Sequence, residues 1–261
     1  MISFLFRAVP AVLLFGSVAA FAADPTPAMS QTDFEARVHA YLITHPEVIN
    51  EMNGLLRAKQ MEAQQEKAKQ TIGQKRGELF ALDCKNAADS VCDPVGGNAE
   101  GDVTIVEFFD YECPFCKALA PDLAKVVAED KHVRVVYKEF PILGEGSQIA
   151  AKAALAATRQ GKFQPLHDAL LADKTPEHQL KEEHILALAQ AAGIDVERLK
   201  QDMASAEVSA RIAATMGLAR DLGIHGTPGM LVGDHLNSGI INQDTLRQQI
   251  RDARTKTADA H

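Results

Sequence analysis

The 261-residue sequence predicts an α/β fold in which a β-α-β unit and a closing β-β-α unit are separated by a run of helices. Three observations carry that expectation. Residues 102–109, DVTIVEFF, are rich in β-branched and aromatic side chains. KALAPDLAKVVAED follows with helical periodicity, and HVRVVYKEF at 132–140 returns to strand. Residues 147 to about 222 read as successive helices, broken at Gly161, at residues 173–176 and at Gly193. GTPGMLVGD and SGII then read as strands, and NQDTLRQQIRDAR as a last helix with Asn242 as its N-cap.

Ahead of this unit lies a different kind of sequence. Arg7 is the lone positive charge before the apolar run AVPAVLLFGSVAAF, and Ala20-Phe21-Ala22 supplies a small-x-small cleavage pattern. The run is short for a membrane span and includes Pro10 and Gly16, so residues 1–22 read as a secretory signal peptide cleaved near Ala22. The mature chain is then exported, in keeping with a bacterial periplasm. No second segment approaches the roughly 20 apolar residues of a spanning helix, so no stable membrane insertion is expected. The formal charge is −8, and no Lys/Arg cluster interleaves with aromatics, which argues against nucleic-acid partners.

Residues 23–80 read as an N-terminal helical segment and linker. Thr32 with Glu35, and Thr44 with Glu47, are spaced as capping boxes, the second with Pro46 in its first turn. Phe34, Val38, Tyr41 and Leu42 recur at helical spacing, and Val48, Ile49, Met52, Leu55 and Leu56 continue an apolar face. Beyond Leu56 the sequence is highly polar, with Gly73 and Gly77, and reads as a stalk or linker. The stripe on residues 34–56 needs a partner, either the main domain or copies of itself. The long polar connection favours a homo-oligomer.

The four cysteines form two close pairs, Cys84 with Cys92 and Cys113 with Cys116. In an oxidising compartment an even count favours disulfides, and local pairing is the simplest assignment. DCKNAADSVCDP is polar and loop-like, so a Cys84–Cys92 disulfide would brace the junction between stalk and main domain, with a second redox pair as the sharper alternative. Cys113-Pro114-Phe115-Cys116 follows a strand and opens a helix. There the unpaired helix N–H groups and the positive dipole end stabilise a thiolate, and Pro114 suits the first helical position. Cys113 is expected to be exposed with a lowered pKa, and Cys116 shielded one turn inward. Such a pair attacks and then resolves disulfides. A structural zinc site would need a second suitable pair, and His132 is isolated. Met203, Met216 and Met230 read as core. No metal or cofactor is expected, although Cu(I) could meet the reduced thiolates.

VEFFDYECPFCK, the downstream YKEFPILG and the late GTPG together resemble the thioredoxin superfamily. The resemblance is to the DsbA-like branch and, within it, to periplasmic thiol–disulfide oxidoreductases of the suppressor-of-copper-sensitivity C type. It covers roughly residues 95–255 and implies a thioredoxin fold with an inserted helical domain at about 147–222, preceded by an N-terminal helical segment that forms oligomers. It further implies that Thr227-Pro228 is a cis-proline loop facing Cys113, a bond whose isomer the residues alone leave open. Pro114 and Phe115 would contact substrate and tune the pair. Glu107 would be a buried acid exchanging protons with Cys116, and Lys138 the lysine paired with it.

The function expected is a disulfide isomerase or reductase acting on exported proteins, kept reduced by a membrane partner. The alternatives are a DsbA-like dithiol oxidase and, from another class, a non-catalytic copper-binding or holdase protein.

Overall fold

The computed structural model describes residues 29–80 and 92–258; the expected signal peptide, residues 1–22, and Cys84 lie outside them. Residues up to Leu55 and those from Leu56 onward form two units, considered separately.

The first unit consists of α1 (Gln31–Thr44) and the opening turns of α2 (Glu47–Gln74). Its caps differ from the expected boxes. Ser30, two residues before Thr32, is the N-cap, its hydroxyl accepting from Asp33 N. Thr44 closes α1 rather than opening α2, because its hydroxyl bonds back to the carbonyls of Ala40 and Tyr41. The turn into α2 is made by His45 and Pro46, whose carbonyls accept from Val48 N and Ile49 N. Within this unit Phe34, Val38, Tyr41, Ile49, Met52 and Leu55 are all exposed among the described residues, with Leu42 and Val48 partly buried.

The second unit contains a five-stranded sheet in the order β1-β3-β2-β4-β5. Its strands are β1 (Val95–Gly97), β2 (Val103–Phe109), β3 (Val133–Glu139), β4 (Gly229–Val232) and β5 (His235–Ser238). β2 and β3 run parallel, joined by α4 (Pro114–Glu129), and the other pairings are antiparallel. The insertion between β3 and β4 comprises α5 (Glu145–Ala157), α6 (Phe163–Ala172), α7 (Glu182–Ala191), α8 (Val196–Met203) and α9 (Ala206–Asp221); α10 (Gln243–Ala258) closes the chain. Asn242 caps α10 as expected, accepting from Thr245 N.

Two strands depart from expectation. β1 was not predicted, because Val-Gly-Gly carries almost no side-chain pattern. β5 is His-Leu-Asn-Ser, and of SGII only Ser238 is strand. Val232 pairs with His235, leaving Gly233-Asp234 as a two-residue hairpin loop with Gly233 at φ +58°. That turn, rather than strand propensity, creates β5.

Helices cover both faces of the central strands, so β2 and β3 are nearly continuous apolar runs. Ile105, Phe109, Val133, Val135, Met230 and Val232 face one core with Leu119, Leu123 and Ile250. Val106, Phe108, Val136 and Leu231 face a second core with Leu218, Leu222 and Ile224. Ile72 and Leu79, the latter from α3 (Arg76–Phe80), are buried in this second core. The expectation of a free stalk through residue 80 therefore needs correction: the latter half of α2 and α3 pack against the sheet. Few apolar residues do this, which is why the segment reads as polar.

The alternation also decides Lys138. In the parallel register Glu107 lies opposite Tyr137, and Lys138 lies opposite Phe108. Successive side chains point to opposite faces, so Lys138 does not pair with Glu107, contrary to expectation. Its ammonium donates to Asp93 Oδ2 at 2.5 Å and to the Glu78 carbonyl at 2.7 Å. Arg211 approaches the same Asp93 oxygen at 3.3 Å. Lys138 is thus an anchor between sheet, α3 and the β1 approach. Removing one partner of a buried pair leaves a charge uncompensated, so Asp93→Ala should cost about 3–5 kcal/mol in denaturant unfolding. The double variant Asp93→Leu/Lys138→Met should lose far less than the sum of the single changes.

Candidate active site

Cys113 is the N-cap of α4 and Pro114 occupies its first turn. The strand-to-helix junction is held from below by the residues between them. Asp110 accepts from Ile142 N, Leu143 N, Glu112 N and Ser147 Oγ. Glu112 accepts from Ser147 N and Leu180 N. Both carboxylates are buried yet satisfied by donors, which is the condition for tolerating them there. The close seating requires Gly146: a Cβ there would meet the Leu180 carbonyl at 2.5 Å and Glu112 Oε2 at 3.0 Å. Tyr111 donates from its hydroxyl to Glu139 Oε1 at 3.0 Å and lies 3.0 Å from His167 Nδ1. Burial drives the Glu139 carboxyl well above the usual carboxylate range and lowers His167 to about 3.

The two thiols are free and unequal. The Cys116 thiol hydrogen-bonds to the Cys113 sulfur, and the N–H groups of Phe115 and Cys116 add to it. Against the opposing effect of burial, these hold Cys113 down to about 6. Burial pushes the Cys116 thiol far up. The expected asymmetry is present, with one correction. Only 3% of Cys113 is accessible, because the Thr227 carbonyl lies 3.3 Å from its sulfur. The Thr227-Pro228 bond is cis. Phe115 is 60% exposed and Pro114 is also exposed, so these two residues form the outward surface beside the thiol.

Glu107 is buried at 2% accessibility, and burial alone raises its carboxyl to about 8. It makes itself felt at Cys116, whose thiol its charge pushes further up. Cys92 is disulfide-bonded. Met203 and Met230 are buried as expected, and Met216 packs at the core edge. Among the described residues no group of three or more His, Cys, Asp or Glu side chains is arranged to hold a metal ion. Sequence reasoning missed Asp110, Tyr111, Glu112, Glu139 and His167. Their polar character gave no sign of burial; only the run Asp-Tyr-Glu directly before the cysteine hinted at it.

The family described as DSBA-like thioredoxin domain matches residues 104–251. The family described as copper resistance protein ScsC N-terminal domain matches residues 31–66. Among solved structures, a thioredoxin-like oxidoreductase from Silicibacter pomeroyi DSS-3 is 43% identical at a TM-score of 0.63, covering 69% of this chain and 98% of its own. Proteus mirabilis ScsC in a transitional conformation is 26% identical at a TM-score of 0.62, covering 86% of this chain and 97% of its own. Among curated proteins, the Na(+)/H(+) antiporter NhaA 3 of Salinispora tropica is 30% identical over 174 residues, which is 66% of this chain and 26% of the antiporter. The chain thus spans about a quarter of the length of the curated relatives it first matches.

Two measurements check this electrostatics. Thiolate absorbance of the reduced protein should rise with a midpoint of about 6, and Cys113→Ser should abolish that step. Glu107 binds its proton more tightly folded than unfolded, because its carboxyl stands at about 8 against 4.5. The stability it contributes is complete below 4.5 and lost as pH rises through 8. Glu107→Gln removes this slope, and its unfolding free energy should gain on wild type with rising pH, by on the order of 5 kcal/mol across the range.

Proposed function

The chain belongs to the DSBA-like thioredoxin domain family, and from that premise we propose that it is a periplasmic thiol–disulfide oxidoreductase that isomerises and reduces disulfides of exported proteins. The observation that carries this reading is the unequal cysteine pair at the start of α4, one sulfur held ionised and the other kept protonated.

The Cys113 thiolate attacks one sulfur of a substrate disulfide. A Cys113–substrate bond forms, and the other substrate sulfur leaves as a thiolate. If that thiolate, or another from the substrate, attacks the mixed disulfide, Cys113 is released and no net electrons move: this is isomerisation. If Cys116 attacks instead, the substrate is reduced and a Cys113–Cys116 disulfide remains. A membrane reductant must then restore the pair. Glu107 takes the Cys116 proton, while Thr227, Pro228, Pro114 and Phe115 form the substrate-facing surface, with the Thr227 carbonyl offering an extended substrate a hydrogen-bond acceptor. Lys138 has no part in this chemistry; its place with Asp93 gives it an anchoring role.

Isomerisation is favoured by an oligomer with several facing sites. The exposed stripe on residues 34–56 and the match of residues 31–66 to the ScsC N-terminal domain support self-association there. The predicted signal peptide supports export, with cleavage near Ala22, and a Cys84–Cys92 disulfide would brace the entry to β1. A second reading, a dithiol oxidase, draws on the low Cys113 pKa: a stabilised thiolate favours the reduced pair and makes its disulfide oxidising.

Refolding of scrambled ribonuclease separates these roles. The wild type should recover native enzyme from scrambled disulfides, and Cys113→Ser should lose at least about 100-fold. Tyr41→Glu/Met52→Glu/Leu55→Glu should be monomeric and lose isomerisation, yet reduce insulin within about twofold of wild type. Full isomerisation by that monomer would remove the oligomer argument. Oxidation of reduced ribonuclease without isomerisation would favour the oxidase. Inactivity of the wild type in every assay would favour a non-catalytic copper-binding or holdase protein.

A further inference from the structure

A cavity of about 620 Å³ lies between α4 and α6, in the size range of small-molecule sites, roughly 300–1,000 Å³. The sequence of α4 makes the space. Ala120, Ala124 and Val127 line it at helical spacing, and two alanine methyls leave room where larger side chains would close the gap. Leu123 and Leu171 extend the apolar wall.

Two polar side chains interrupt that wall, and both are buried: Glu107 is 2% accessible and His167 3%. Both adjoin Tyr137. Glu107 lies opposite it on the neighbouring strand, and the Tyr137 and His167 rings are 4.4 Å apart. Burial is the one influence on the Glu107 carboxyl, which has no hydrogen-bond partner among the described residues and keeps its proton at neutral pH. The Tyr111 hydroxyl gives its single proton to Glu139 Oε1, so its 3.0 Å contact with His167 requires Nδ1 to donate. The neutral imidazole then has a bare lone pair on Nε2, which likewise has no partner among the described residues. Phe163, stacked 5.0 Å from the ring, holds its plane. Buried polar groups without partners are costly, and here one donor and one acceptor line the same apolar space. Two charged groups at this cavity are engaged elsewhere. Lys117 donates to the Asp173 carbonyl, and Asp168 accepts from Gln164.

We propose that this cavity binds a small uncharged organic molecule, an alcohol or phenol with an apolar body, whose hydroxyl accepts from the Glu107 carboxyl and donates to His167 Nε2. The apolar body packs on Ala120, Ala124, Leu123 and Leu171. A charged head has no counter-charge at the buried end, and a pure hydrocarbon leaves both polar groups unmet. The site goes beyond the exchange reading and does not need it, since neither Cys113 nor Cys116 lines the cavity.

Titration of the full reduced chain with p-cresol at neutral pH, by calorimetry, tests this. Saturable binding at one site per chain is expected. Toluene, which lacks the hydroxyl, should bind about 10-fold more weakly, with p-methylanisole, which accepts but cannot donate, between the two. The cation p-methylbenzylamine should bind no better than toluene. Ala124→Phe, at an exposed α4 position on the cavity wall, should abolish p-cresol binding with an unchanged circular dichroism spectrum. Glu107→Leu should bring p-cresol down to the affinity of toluene. Absence of saturable p-cresol binding overturns the site, as does equal affinity for toluene, tighter binding of the amine, or binding that survives Ala124→Phe. If Glu107→Leu does not fold, the ranking of the four probes on wild type decides the role of the hydroxyl.

Discussion

A sulfur atom at the first turn of α4 receives hydrogen bonds from its neighbours, and the chain around it is arranged so that this junction cannot shift. The donors on one side are the helix N–H groups and the Cys116 thiol; on the other side the Thr227 carbonyl closes over it. Asp110 and Glu112 secure the connection from β2 by taking up five donors from the segment after β3, the start of α5 and the loop before α7. The insertion is therefore part of what holds the nucleophile, rather than an accessory laid over a finished site. Loss of either carboxylate would free buried N–H groups, and each unmet donor costs on the order of 1–3 kcal/mol.

The same economy of buried charge runs through the sheet. Two ionisable residues on neighbouring strands, Glu107 and Lys138, sit in apolar runs, and the family resemblance implies that they pair. The sheet sends them to opposite cores. Lys138 donates to Asp93, which Arg211 also approaches, whereas Glu107 meets no counter-charge among the described residues and burial holds its carboxyl far above the normal carboxylate range. One residue becomes structural and the other remains chemically available. The difference comes from a single step in register.

Much of the fold could be read in advance because β2, α4, β3 and α10 have side-chain periods that match their burial. The cysteine pair was legible for the same reason: a strand ending at Phe109 and a helix opening at Pro114 fix where the sulfurs stand. What escaped lacks a local signal. β1 is mostly glycine, and β5 is polar and exists because Gly233-Asp234 reverses the chain onto β4. The pairing of Lys138 depends on strand register, which no pattern of residue types reveals. The near-complete cover of Cys113 depends on a loop more than a hundred residues away.

Ile72 and Leu79 lie under Val106, Phe108 and Val136, and the Glu78 carbonyl receives the buried Lys138 ammonium. The segment that sequence similarity assigns to the redox fold begins at residue 104, but the unit that can stand in water begins well before it. A fragment trimmed to the similarity boundary would uncover the part of this core that Ile72 and Leu79 fill, leaving Leu218, Leu222 and Ile224 there, with Lys138 stripped of its carbonyl acceptor. Homology and burial thus draw different borders here, and the second is the one that keeps this core covered.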